Sequence, residues 1–376
     1  MNSMNFMTKT AVSVAVGLCS SSVFAAHVVA DARGNAMGNT GVASANYLTA
    51  PFYNPALGSS FRDHDNFGLL LPAVGVNASD QDDVISTIDD LDDAIDNNNS
   101  TDVHKLLDKL DGSQPLNVTA GLGIAIALPT HAVSTNFFAR GYVEVMSQVN
   151  VDNSSNAEDR YDNSEVDTKA FGYSEYGVSF SKAFVIANQD VSFGISPKYQ
   201  QMKTYTKMTT LEDFDFDDYE ESENSAGAFN FDLGAVWYRN NFRAALAIKD
   251  VLAQEIELKN NQGTVLDTYE LNPQATIGLA YTNRFFTAAF DADLTKQTRF
   301  KSMDDDTQFV RVGLEGNAWG WAQLRAGYEI DLQDTLDNSL TAGVGLSPWD
   351  VVHLDIAASY AGENQFGAAA NLYLTF

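Results

Sequence analysis

The chain has 376 residues, with 50 Asp and Glu against 22 Lys and Arg, and a formal charge of −28. So acidic a protein repels nucleic acid, and no basic face offers itself for phosphate contacts. The single cysteine, Cys19, sits near the N-terminus, so the remainder has no thiol for disulfides, redox work or Cys-ligated metal.

Residues 1–25 read as a secretory signal peptide. They carry one charge, Lys9, then the apolar run Ala11–Leu18 and a small-residue exit, with cleavage expected after Ala25 or Ala26. The apolar core is too short to span a bilayer as a helix, and no later run reaches about 18 apolar residues. Residues 26–65 read as neither strand nor long helix. They hold the small-residue, turn-forming run Gly34–Ala45 (GNAMGNTGVASA) and then Phe52-Tyr53-Asn54-Pro55-Ala56-Leu57. Small residues let backbones approach closely, and Asn-Pro starts a tight turn, so this stretch reads as a plug folded into a confined space.

From residue 66 onward the pattern is period two. Alternating segments predict fourteen strands at 66–77, 117–128, 133–149, 169–183, 190–206, 227–238, 242–252, 274–283, 285–297, 307–317, 320–331, 338–347, 350–360 and 366–376. In 350–360, Val352, Leu354, Ile356, Ala358 and Tyr360 oppose His353, Asp355 and Ser359. A soluble sandwich also alternates, so alternation leaves the fold open. The connections decide it. Long links (78–116, 150–168, 207–226, 253–273) alternate with short ones centred on Pro129–Ala132, Phe184–Gln189, Arg239–Asn241, Asn283–Arg284, Ala318–Trp319 and Pro348–Trp349. Outer-membrane barrels have short periplasmic turns and long extracellular loops. The expected fold is therefore all-β: a single 14-stranded antiparallel transmembrane β-barrel over 66–376, with an N-terminal plug over 26–65. All four tryptophans, Trp237, Trp319, Trp321 and Trp349, fall at predicted short turns and suit an interfacial girdle on one membrane face.

The long loops are acidic. Loops 78–116, 150–168 and 207–226 hold eleven, six and eight acids. The first also has helical spacing in Val84, Ile88, Leu91 and Ile95, then Val103, Leu106, Leu107 and Leu110. Two amphipathic helices there either cap the barrel mouth or form a lid and landing surface for a hydrophobic ligand.

Alternation points Arg243, Lys249, Asp291, Asp293, Arg311, Glu315, Arg325, Glu329, Asp331, His353 and Asp355 into the lumen. Arg311 and Glu315 are placed to pair with Glu329 and Arg325 across neighbouring strands, since unpaired charge in a narrow lumen is costly. Alternatively, Arg243 or Arg325 holds a carboxylate headgroup through the two parallel bonds a guanidinium makes. His353 and Asp355 share a face, yet no nucleophile accompanies them, and no enzyme activity is expected. No His cluster implies zinc. Asp213-Phe214-Asp215-Phe216-Asp217-Asp218 lacks the glycine and distal glutamate of a calcium loop, so no metal or cofactor is expected.

The last eleven residues, Phe366–Phe376, carry apolar side chains at every second position and end on Phe. A tilted strand of about 9–11 residues crosses a bilayer. This end, the glycine- and alanine-rich opening, the Asn54-Pro55-Ala56 turn and the pattern of 324–331 and 340–360 together resemble the FadL-type outer-membrane transporter superfamily. Within it they are most similar to the group labelled TraF-like, after a conjugal transfer protein. The resemblance implies fourteen strands, an N-terminal hatch and passive uptake of hydrophobic or amphipathic small molecules. Its functional residues would be the plug positions Gly34, Gly38, Gly41, Asn54, Pro55 and Ala56. The alternative it leaves open is an outer-membrane anchor or assembly component of a secretion or conjugation system, acting through the acidic loops. Expected partners are outer-membrane lipid and lipopolysaccharide, a hydrophobic small-molecule ligand, and the barrel assembly machinery that reads Phe376. No nucleic acid partner is expected, and the protein is expected to be a monomer.

Overall fold

A computed structural model describes residues 31–97, 99–212, 223–260, 262–303, 305–318, 320–362 and 364–376. The signal-peptide segment, the Asp213–Asp218 run and Trp319 lie outside them.

Among the described residues, fourteen strands close into one antiparallel barrel. They are β1 (Gly68–Ser79), β2 (Leu116–Leu128), β3 (Ser134–Asn150), β4 (Glu165–Ile186), β5 (Gln189–Thr210), β6 (Asn224–Arg239), β7 (Phe242–Lys249), β10 (Gln274–Thr282), β11 (Phe286–Asp293), β12 (Phe309–Ala318), β13 (Ala322–Asp331), β14 (Ser339–Leu346), β15 (Val352–Gly362) and β16 (Gln365–Thr375). Each predicted strand has its counterpart here. Strand β16 closes the ring on β1, from Gly68 opposite Thr375 to Ser79 opposite Gln365. Closure leaves no sheet edge, so every ladder N–H and C=O within the wall finds a partner, as hydrocarbon requires. Both ladders of β1 shift register after Leu70, at Pro72, whose ring nitrogen cannot donate.

The strand alternation sorts side chains cleanly. Leu279, Val312, Leu324, Val344 and Ile356 are exposed on the outside, whereas Asn230, Asp232, Asp291, Arg325 and Asp355 are buried inside. That outer band matches lipid, and the charged interior is sealed from it. Two-residue turns join β4 to β5 through Ala187 and Asn188, both at positive φ, which suits the twist of the flanking strands.

Three features depart from the expectation. Strands β4 and β5 run 22 residues each, so at about 3.3 Å per residue they outreach the hydrocarbon and rise as a wall above it. The predicted loop 253–273 contains a hairpin, β8 (Gln254–Lys259) and β9 (Val265–Leu271). The hairpin seats Ile256, Leu258, Tyr269 and Leu271 against the inward residues Tyr142, Met146, Phe171 and Tyr173, with Tyr269 stacked on Phe171 at 3.5 Å. Finally, the expected helices form as α3 (Val84–Asp96) and α4 (Ser100–Leu110), following the short plug helices α1 (Ala32–Asn35) and α2 (Ala50–Tyr53). Their apolar stripe is consumed in packing: Val84, Ile88, Leu91, Val103, Leu107 and Leu110 are buried with Val143, Val145, Val149 and Val166 of the extended wall. The landing-surface reading fails, because that stripe presents no exposed apolar face. The helices do not cap the mouth either: Val143, Val145, Val149 and Val166 alternate with the inward Tyr142, Met146 and Phe171, so the helices lie on the outer face of the wall.

The lipid-facing position Ile356 gives a direct test of this orientation. Arginine there should destabilise the barrel by about 2–4 kcal/mol. Urea unfolding in lipid vesicles measures it, and a shift close to zero would place β15 away from hydrocarbon.

Candidate functional site

The described N-terminal segment fills the short-turn half of the lumen, and its seating starts from residues without side chains. Gly34 and Gly41 both lie against the Tyr53 ring, where a Cβ would fall 1.6 Å and 2.1 Å from ring-system atoms. Gly38 has φ +64 and meets the backbone of Tyr328 and Val312. On the wall opposite, a Cβ on Gly327 would lie 2.1 Å from the Gly38 nitrogen, and one on Gly234 would lie 1.9 Å from the Asn54 side-chain oxygen. Glycine on both surfaces lets two backbones touch.

Asn54 works as a double anchor. Its Oδ1 accepts from the Ala56 N–H and caps the 3₁₀ turn Pro55–Ser59, in which Pro55 takes a position that needs no donor. Its Nδ2 donates to the carbonyls of Val42, Ala235 and Leu246 at 3.0, 3.4 and 3.3 Å. Ala56 is buried, and its carbonyl accepts from Ser192 Oγ at 2.7 Å. Lys249 Nζ donates to the Phe52 carbonyl.

The rest of the plug is tied down by wall carboxylates. Arg33 makes a two-pronged contact with Glu315 at 2.9 and 3.0 Å. Glu315 also accepts from Arg325 at 2.7 Å, and Arg325 reaches Asp355 at 2.6 Å. Asp355 takes the Asn371 amide, whose oxygen accepts the Ala32 N–H. Asp291 accepts two plug N–H groups, Gly41 at 2.7 Å and Val42 at 2.9 Å. Glu329 pairs with Arg311 at 2.6 Å and receives Asn39. Asp31 caps α1 by accepting from Arg33 and Gly34 N–H. Burial raises its carboxyl above the ordinary range and Asp355 adds to the rise, against the lowering by Arg33.

The predicted lumen residues thus divide. Arg311, Glu315, Arg325, Glu329 and Asp355 come together in ladders, with Arg311 in register with Glu329 and Glu315 with Arg325. Arg325 gives Nε to Glu315 and Nη1 to Asp355, so its guanidinium is engaged in wall ion pairs. Arg243 donates to the Ala43 carbonyl at 3.4 Å and lies over the Tyr238 ring. His353 stands apart: it stacks on Tyr373 and bonds Thr375 at 2.9 Å, so it forms no dyad with Asp355.

A second cluster escaped the sequence reading. Lys198, fully buried, sits within 2.9 Å of Glu175 and within 2.8 Å of Asp232 and Asp250, while Arg140 pairs with Glu175 at 2.8 Å. The signal lay in period two along β5 and β6, but which strands adjoin at that height depends on register (Asn230 opposite Lys198, Glu175 opposite Gln200). Above the plug, the lumen opens into a cavity of about 170 Å³ whose lining includes Asn35 and Asn39.

A family model described as "F plasmid transfer operon, TraF, protein" matches residues 51–293, and the chain belongs to that family. No curated protein matches it. Its fold is similar to the Ralstonia pickettii toluene transporter TbuX, at 13% identity over 92% of this chain and 97% of the other, with a TM-score of 0.54. It is also similar to the P. putida toluene transporter TodX (13%, 92% and 98%, TM-score 0.50) and to a Pseudomonas aeruginosa FadL homologue (12%, 94% and 99%, TM-score 0.50). The barrel thus shares its fold with these proteins.

The Lys198 cluster yields a charge-balance test. Lys198→Met strands two aspartates and should cost about 3–5 kcal/mol of barrel stability, as breaking a buried pair does. Adding Asp232→Asn and Asp250→Asn should recover most of the loss in the same vesicle unfolding assay. Additive losses would argue against a single network.

Proposed function

We propose that this TraF-family chain is a passive channel of the bacterial outer membrane for hydrophobic or amphipathic small molecules, gated by its N-terminal plug. The supporting observation is a closed barrel whose cavity ends on a plug held by hydrogen bonds, ion pairs and glycine contacts. Such contacts exchange with water one by one, so the plug can move while the wall stays paired. Solute would enter at the long-loop end, rest in the cavity and pass when residues 31–65 shift. The gradient supplies the driving force, and no cofactor or catalytic group takes part. Similarity to barrels named as toluene transporters supports small-molecule passage in general and leaves the cargo open.

The second reading, an envelope anchor for a transfer or secretion assembly, is favoured by one observation. On α3 the acids Asp89, Asp90, Asp92, Asp93 and Asp96 face outward while its apolar side is buried. That face is available to a partner, and the family description points to plasmid transfer.

Proteoliposome uptake separates the two. Asn54→Ala removes the plug's amide contacts with the wall carbonyls of Ala235 and Leu246 and should raise flux of a small amphipathic probe several-fold while insertion, read by heat-modifiable gel mobility, persists. Absent flux in both wild type and variant would sink the channel reading and direct attention to the acidic helix face. If the variant fails to insert, the turn is structural, and Arg33→Gln then tests the gate.

A further inference from the structure

Inward cations of the wall are mostly held in ion pairs. Arg140, Lys198, Arg311 and Arg325 each have a carboxylate within 2.9 Å. Lys249 and Arg243, both on β7, form no ion pair among the described residues. Each donates instead to a plug carbonyl, Lys249 to Phe52 and Arg243 to Ala43. For Arg243 the Tyr238 ring is a second neighbour. Lys249 stands beside acids.

The Lys198 cluster is one cation short. Lys198 and Arg140 face three acids at ion-pair distance, Glu175, Asp232 and Asp250. Asp232 and Asp250 adjoin, since the Asp250 N–H donates to Asp232 Oδ1 at 2.8 Å, and both meet Lys198 through Oδ1. The Oδ2 atom of each is buried and has no hydrogen-bond partner among the described residues. Open carboxylate oxygens in a sealed lumen carry a cost that a further cation would remove.

Lys249 is placed to be that cation. The β6–β7 ladder pairs Leu233 with Ile248, so the same register one step on sets Asp232 opposite Lys249. Directly opposed residues on one face have Cβ atoms about 4.5–5.5 Å apart. A lysine carries its ammonium on a flexible four-carbon stem and has three donors. Rotation about that stem can exchange the Phe52 carbonyl for the Asp232 carboxylate while the backbone stays in place.

We propose that Lys249 is a two-position latch for the plug. With residues 31–65 seated, its ammonium holds the Phe52 carbonyl. When they shift, it turns to Asp232 and takes up the open oxygens of the Asp232–Asp250 pair. The cluster then has three cations for its three acids, which offsets the lost plug contact and eases release. The proposal rests on the channel reading, since a latch needs a plug that moves.

The test uses the full chain in lipid vesicles with Cys19→Ser and Ser44→Cys. Ser44 is a buried plug residue whose hydroxyl has no partner, so a thiol replaces it at little cost. The rate at which a water-soluble maleimide modifies that thiol reports how often the plug unseats. Asp232→Asn keeps the side-chain shape and removes the receiving charge. It should slow labelling about tenfold, the lower end of what a hydrogen bond to a charged group is worth. In a Lys249→Met chain the same substitution should change nothing, because the latch is already gone. Asp250→Asn should act in the same Lys249-dependent way and serves if Asp232→Asn does not insert. Labelling that is unchanged or faster with the asparagine, or equally slowed in the Lys249→Met chain, overturns the latch and leaves a moving plug. A thiol that reacts only after unfolding, with Asp232 and Lys249 intact, sinks plug movement itself and the gated channel with it.

Discussion

Charge pairing inside a sealed lumen is the constraint on which the rest of this structure depends. A guanidinium or carboxylate facing inward cannot reach bulk water, and lipid lies behind it. An isolated charge in that position would be prohibitive, so the inward charges are tied to opposite charges, to amide donors, or to plug carbonyls. The wall answers this with two networks at different places on its circumference. One, on β11 to β15, binds the wall to the plug through Glu315, Asp291 and Glu329. The other, around Lys198, ties β3 to β7 together without touching Arg33 or Glu315.

The division has a mechanical consequence. Strand pairing and the Lys198 cluster join wall strand to wall strand through contacts that do not use the plug. The plug's own contacts are of a kind that can be surrendered singly: amide to carbonyl, backbone N–H to carboxylate, glycine to glycine. Glycine at Gly38 and Gly327 removes the side chains that would keep the two backbones apart, so seating depends on shape as much as on charge. A gate requires that combination of a rigid frame and a detachable filling.

At the opposite end, the long strands and loops build two further hydrophobic cores, one on each face of the wall. Helices α3 and α4 bury their leucines against the wall extension, and the β8–β9 hairpin packs Tyr269 and Leu271 over inward aromatics. Acids on the outer helix face stay in water. Above the plug lies the cavity, whose lining includes Asn117, Thr119 and Gln297 together with Asn77, Ser359 and Gln365 because the inward alternation continues there.

The sequence by itself determined the barrel. Period-two alternation, the sorting of long and short links, and the terminal strand each report a local property of the chain, and fourteen strands followed with boundaries close to those found. The ladder partners of Arg311 and Arg325 were also legible, because β12 and β13 are joined by a short turn that fixes their register. The hairpin within 253–273 was hidden because its strands are short, 6 and 7 residues. The Lys198 cluster, the Asn54 carbonyl contacts and the lumen cavity were decided by the tertiary structure alone. Each joins residues far apart in sequence, such as Glu175 with Asp250 or Asn54 with Leu246. Their meeting depends on barrel closure and on where the plug comes to rest, neither of which is written in local periodicity.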